Sequence, residues 1–188
     1  MPVTPPNAAG WHRQNVTVKL AATDEGGSGV KEITYKVAGV SKTVAGASVS
    51  VPVTAEGATT IASNAKDNAG NAEATQSLTV KVELVGPAIS ASLDRAAAAT
   101  GWFNAGTGAP TANYVATASA APLVSPAMGS YSFTEGQDQS HSFTVTDEAG
   151  LSASVTISGV NVDTVAPMLT AGINDPDLVT GWYNIGTG

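Results

Sequence analysis

Two acidic loops and three glycine-flanked tryptophans are the places where this sequence could do chemistry. The loops are Ala65-Lys66-Asp67-Asn68-Ala69-Gly70-Asn71 and Thr146-Asp147-Glu148-Ala149-Gly150-Leu151. Aspartate, asparagine and backbone carbonyl oxygens are hard donors of the kind calcium takes. Asp67 and Asp147 would be its ligands, joined by Asp24 and by Asp163, which is the best placed of the outlying carboxylates. The spacing is not that of an EF-hand loop. The competing reading is structural and carries more weight. A turn aspartate accepts N–H bonds from the residues that follow it, while Gly70 and Gly150 supply the left-handed backbone. On that reading Asp67, Gly70, Asn71, Asp147 and Gly150 are turn residues, and calcium is the alternative.

The tryptophans stand in Gly10-Trp11, Gly101-Trp102-Phe103-Asn104 and Gly181-Trp182-Tyr183-Asn184. Trp11, Trp102 with Phe103, and Trp182 could offer flat faces to sugar rings. An indole can equally close one end of a thin sandwich with its N–H bonded to a loop carbonyl, and this is the favoured reading.

Nothing else suggests catalysis. With no cysteine there is no thiol chemistry. His12 and His141 have no second ligand at zinc spacing, and His141 is expected on the solvent side of its strand. Gly-x-Ser-x-Gly is absent. Gly26-Gly27-Ser28-Gly29 and Gly106-Thr107-Gly108 lack the lysine and following helix of a phosphate loop. No catalytic residue is assigned, and no cofactor other than calcium is entertained.

Composition narrows the partners. Eight basic against fifteen acidic residues give a net charge of −7 over 188 residues, without a basic cluster to track nucleic acid. No apolar run is long enough for a membrane helix. Met1-Pro2-Val3-Thr4-Pro5-Pro6 lacks the regions of a signal peptide and reads as an internal segment of a longer chain.

The elements that must position these residues are strands. Val16, Val18, Leu20 and Ala22 alternate with polar or small residues, and so do Val30 to Val37, Val49 to Val53, and Leu78, Val80, Val82 and Leu84 against Ser77, Thr79, Lys81 and Glu83. Pro52 places its strand at an edge or a bulge. Ile89 to Leu93, Tyr114 to Ala118, Tyr131 and Phe133, Phe143 and Val145, and Val155 and Ile157 continue the pattern. Ala96 to Ala99 could form at most one helical turn. Ala121-Pro122-Leu123-Val124-Ser125-Pro126 replaces the first block's glycine-rich hairpin, and its two prolines disfavour a strand.

The order repeats. Pro87 and Pro167 stand 80 positions apart (167 less 87), a period that marks tandem modules. Glu56-Gly57 is mirrored by Glu135-Gly136. The boundaries are 1–85 for a first module that lacks an opening strand, 86–166 for a second, and 167–188 for the start of a third. The fold class is all-β, two tandem immunoglobulin-like sandwiches of short antiparallel strands. The tail at 168–188 is expected either to fray or to pair with a sheet edge, its own or a neighbour's.

Asn15-Val16-Thr17-Val18-Lys19-Leu20-Ala21-Ala22-Thr23-Asp24, Ser28-Gly29-Val30, Ile33-Thr34-Tyr35, Asp67-Asn68-Ala69-Gly70-Asn71 and the junction Asp163-Thr164-Val165-Ala166-Pro167 resemble the bacterial Ig-like repeats of secreted and surface proteins. The resemblance covers the first module and the junctions well and the second module in part. It implies an extracellular or cell-surface location and a role as spacer, stalk or accessory module, with neighbouring repeats of the same chain as partners. A polysaccharide is the partner of the alternative, an adhesive or carbohydrate-binding module using the loop aromatics. Nucleic acid and membrane insertion are not expected.

Overall fold

The computed structural model describes residues 5–172. Among them the regular elements are all strands: β1 (Trp11–His12), β2 (Val16–Ala21), β3 (Val30–Val37), β4 (Val40–Ala45), β5 (Ser48–Val53), β6 (Gly57–Asp67), β7 (Gln76–Val82), β8 (Ala88–Leu93), β9 (Thr111–Thr117), β10 (Met128–Ser132), β11 (Gly136–Thr146) and β12 (Ser152–Val162). The stretch Ala96–Ala99 is irregular up to Ala98 and enters a turn at Ala99, and it forms no helix. Trp182 and most of the tail lie outside the described residues.

The first sandwich packs a five-stranded sheet, β1-β7-β6-β3-β4, against the pair β2-β5. This is the immunoglobulin arrangement, with β3, β6 and β7 in the places of strands C, F and G and β2 and β5 in those of B and E. Alternation sends Val16, Tyr35, Val51, Val53, Ile61, Val80 and Val82 into one buried cluster between the sheets. Pro52 lies opposite Thr17 in a sheet of only two strands, so its missing N–H breaks no second ladder. β4 is an additional edge strand, lying between Gly39 and Gly46, that the alternation pattern does not mark. Its side chains are mostly exposed, so no buried face announces it.

The second sandwich sets β10-β9-β8 against β11-β12. Phe103, Ala112, Phe133, Phe143, Val160 and Val162 form its core. Where the first sandwich has β3 and β4, residues 118–127 run irregularly and make one bridge, Leu123 to Asp147. The prolines at 122 and 126 account for this. Aromatic rings fill the gap between β10 and β11. Tyr131 stacks on His141 at 3.7 Å and 7°, and His141 meets Phe143 edge-on at 4.7 Å. His141 is therefore half-buried in a ring stack and not on the solvent side of its strand, because it alternates in step with the buried Phe143 and Val145 on the inner face of β11.

At the ends of their closing strands the two halves repeat the same hydrogen bonds. His12 pairs in parallel with Val82, and Phe103 with Val162. Glu83 N–H donates to His12 O, and Asp163 N–H to Phe103 O, each at 2.9 Å. Glu56 Oε1 accepts the N–H groups of Leu84 and Val85. Glu135 accepts the N–H and hydroxyl of Thr164. The two Glu-Gly turns thus clamp the exits of the two closing strands.

Candidate functional site

The functional residues that the structure gathers lie at the junction of the two sandwiches. β7 ends there, and β1 runs beside it in parallel, so Trp11 sits at the edge of the first sandwich facing the second. A turn sets its angle. Gly10, at φ 85°, donates to Asn7 O, and Asn7 N–H donates to Trp11 O. The indole packs with Ala120, Ala121 and Ala149 and is 4% exposed. Its Nε1 points at the Glu148 carboxylate, 3.4 Å away, and Lys81 Nζ lies 5.5 Å from the ring centroid.

Polar contacts surround the ring. Asn7 Nδ2 donates to Glu148 O at 2.8 Å, and Arg13 Nε to Ala149 O at 2.9 Å. Glu83 is fully buried, and its carboxylate accepts the N–H groups of Ala120 (3.2 Å) and Ala121 (2.6 Å). A side chain on Gly86 would stand 3.1 Å from the Leu151 Cβ, so the connector runs close against the loop. The sequence reading points Leu84 inward and Glu83 outward. The structure reverses both: Leu84 is 43% exposed and Glu83 is covered. The strand pairing ends at Val82, and beyond it the junction, not the first core, decides which side is buried.

The candidate aromatics divide. Trp11 is buried at the junction and Phe103 inside the second core at 3% exposure, so neither presents a ring face to a glycan. Trp102 is half-buried at the far end of the second sandwich.

The acidic candidates also divide. Asp24 turns its oxygens into its own loop, accepting from Gly26 N–H, Gly29 N–H and the Ser28 hydroxyl. The N–H groups of Gly26 and Gly29, followed by Ser28, hold its carboxyl below the usual range. Asp67 accepts Asn71 N–H and Nδ2, both at 2.7 Å, and the Asn71 side chain leads in lowering its pKa. Asp24 and Asp67 line one open cavity of about 400 Å³ with Glu73. Among the described residues no three His, Cys, Asp or Glu side chains are grouped to hold a metal ion. Asp163 is exposed on the second connector, where its Oδ1 accepts Val165 N–H.

These lowered values predict an acid response. A carboxylate whose folded pKa is depressed adds stability that is present above the unfolded value and lost as pH falls through the folded one. The melting midpoint is expected to be flat near neutrality and to fall below about pH 4, the ordinary aspartate range. Asp67→Asn should flatten part of that acid slope in a calorimetric pH series; an unchanged slope would count against it.

Asp147 repeats Asp67 with one loss. Its Oδ1 accepts Leu151 N–H at 2.9 Å, as the counterpart does from Asn71. Leu151 has no side-chain amide to match Asn71 Nδ2, so Oδ2 is buried without a hydrogen-bond partner among the described residues. Leu151→Asn is expected to restore that bond and raise stability by about 1 kcal/mol, the net worth of a hydrogen bond to a buried acceptor. Denaturant midpoints of the two proteins test this, and a lower midpoint in the variant refutes it.

Strand order and the junction define a class: an all-β, immunoglobulin-like tandem sandwich with a tryptophan seated between its halves. No protein-family model matches the chain, and no curated protein does. Among solved structures it is similar to the fibronectin(III)-like modules of Clostridium thermocellum CbhA, with 13% identity and a TM-score of 0.32 over 91% of this chain and 97% of that one. It is also similar to a structure of a 1.5-MDa bacterial ice-binding adhesin described for host cell surface retention. That match has 18% identity and a TM-score of 0.32, and covers 84% of this chain and 60% of the adhesin chain.

Proposed function

We propose that the chain is a non-catalytic spacer segment of a secreted or cell-surface bacterial protein, built of modules at 1–85 and 86–166 that hold a fixed relative orientation. The observation that carries this is the junction. Trp11 is buried by residues of the other sandwich, and Glu83 is buried on two of that sandwich's backbone N–H groups. A joint with an aromatic anchor and a desolvated charge-assisted contact resists bending, whereas inter-domain faces that are merely polar leave domains free to move. The extracellular location rests on the resemblance to bacterial Ig-like repeats.

The chain has no cysteine, so spin labels attach only where cysteines are introduced. Labels at the exposed Lys42 and Ser158 are expected to give one narrow distance distribution. A broad distribution would sink the spacer reading. The adhesive alternative rests on Trp102, the described tryptophan that is only half-buried. Fluorescence titration with polysaccharides separates the two, since a spacer shows no saturable change.

A further inference from the structure

The junction has a copy of its donor half at the other end of the second sandwich. Ala98 N–H donates to Trp102 O at 2.9 Å and Gly101 N–H to Ala98 O at 2.8 Å, matching Asn7, Gly10 and Trp11 bond for bond. Gly101 has φ 83° where Gly10 has 85°. Phe103 pairs with Val162 as His12 pairs with Val82. Trp102 therefore leaves its sandwich in the same way as Trp11, yet it is half-buried where Trp11 is 4% exposed. Asp163 occupies the place of Glu83, exposed where Glu83 is covered. The acceptor half is duplicated as well. Asn68 N–H donates to Gly29 O as Glu148 N–H donates to Pro122 O. Ala69, the counterpart of the fully buried Ala149, is exposed.

We propose that the Trp102 end is a docking surface for one occupant, a further immunoglobulin-like module joined through Asp163–Pro167. That module's Asp-x-Ala-Gly loop covers the indole as Glu148–Gly150 covers Trp11. This rests on the spacer reading and extends it: the joint is a unit that propagates along a chain of modules. Three of the first joint's contacts are not repeated. Asn161 stands where Lys81 lies 5.5 Å from the Trp11 ring. Ala98 replaces Asn7, and Asn104 replaces Arg13, with its Oδ1 committed to the N–H groups of Gly106 and Thr107. The second joint is thus carried by the indole, by the Asp163 carboxylate on backbone N–H groups of the incoming module, and by apolar contact at the alanine of the loop. The partner loop offers the indole N–H an acceptor at the position of Glu148 or Asn68.

The test uses 5-fluorotryptophan and fluorine NMR, one resonance per tryptophan, with assignment by single Trp→Phe variants. In the 188-residue chain the Trp102 resonance is expected to show a solvent isotope shift and the Trp11 resonance none. In a chain with residues 88–167 duplicated in frame, the first Trp102 loses that shift. Ala149→Arg in the added module brings it back. A second extended chain carries Glu-Leu-Val-Gly, the residues of the first joint, at positions 163–166; this guards against a failure of the linker itself. Retention of the isotope shift at the first Trp102 in both folded extended chains, with Trp11 protected, overturns the proposal and leaves the spacer reading standing. A shift at Trp11 itself overturns both.

Discussion

Replacement of Trp11 by alanine is expected to uncouple the two sandwiches. Removing a buried tryptophan costs about 3–5 kcal/mol where the surroundings cannot collapse. Here the ring lies between two bodies, packed with Ala120, Ala121 and Ala149. Alanines are too short to fill the space, and the sandwiches have separate cores of their own. The loss therefore falls on the joint. Calorimetry is expected to resolve two transitions in the variant and one coupled transition in the parent, and the Lys42–Ser158 label distance should broaden in the variant. Trp11→Phe keeps most of the apolar contact and loses the indole N–H to Glu148, so a drop of only about 1 kcal/mol is expected. If Trp11→Ala lowers a single transition with no broadening, the ring is an ordinary part of the first core and the joint is held by something else.

Glu83→Ala is the second large effect. The carboxylate is fully buried, and the N–H groups of Ala120 and Ala121 donate to it. Deleting it strands two donors in a covered site, each worth about 1–3 kcal/mol when unsatisfied. A net loss of about 2–4 kcal/mol follows, since water can reach part of an opened joint. Glu83→Gln keeps one acceptor oxygen but turns an NH2 group toward a donor, and should fall between the parent and alanine. Hydrogen exchange gives the local readout: the Ala120 and Ala121 amides lose protection in Glu83→Ala while Val80 in the first core keeps it. Equal loss of protection at Val80 would show that Glu83 serves the fold of its own sandwich instead.

The strands were legible because burial on one face imposes a period of two, and Val16 to Leu20, Val49 to Val53 and Ile89 to Leu93 carry that period openly. The repeat was legible because the same turn chemistry recurs: Glu56-Gly57 and Glu135-Gly136 clamp equivalent strand exits. β4 was not legible, since an exposed edge strand has no apolar face to display. Asp67 and Asp147 look alike in sequence, and only their surroundings separate them. One has both oxygens bonded to Asn71, and the other has an oxygen stranded beneath the joint.

Sequence by itself determined the all-β class, the spacing of 80 between Pro87 and Pro167, and the left-handed turns at Gly70 and Gly150. Local geometry suffices for these, because alternation and left-handed glycines act within a few residues. Tertiary structure alone decided that Trp11 is an anchor while Trp102 is half-open, and that Glu83 is buried while Asp163 is exposed. The residues in each pair share a backbone setting and differ in what packs on them. That neighbour comes from more than a hundred positions away, Glu148 and Ala149 over Trp11, and no local pattern encodes it.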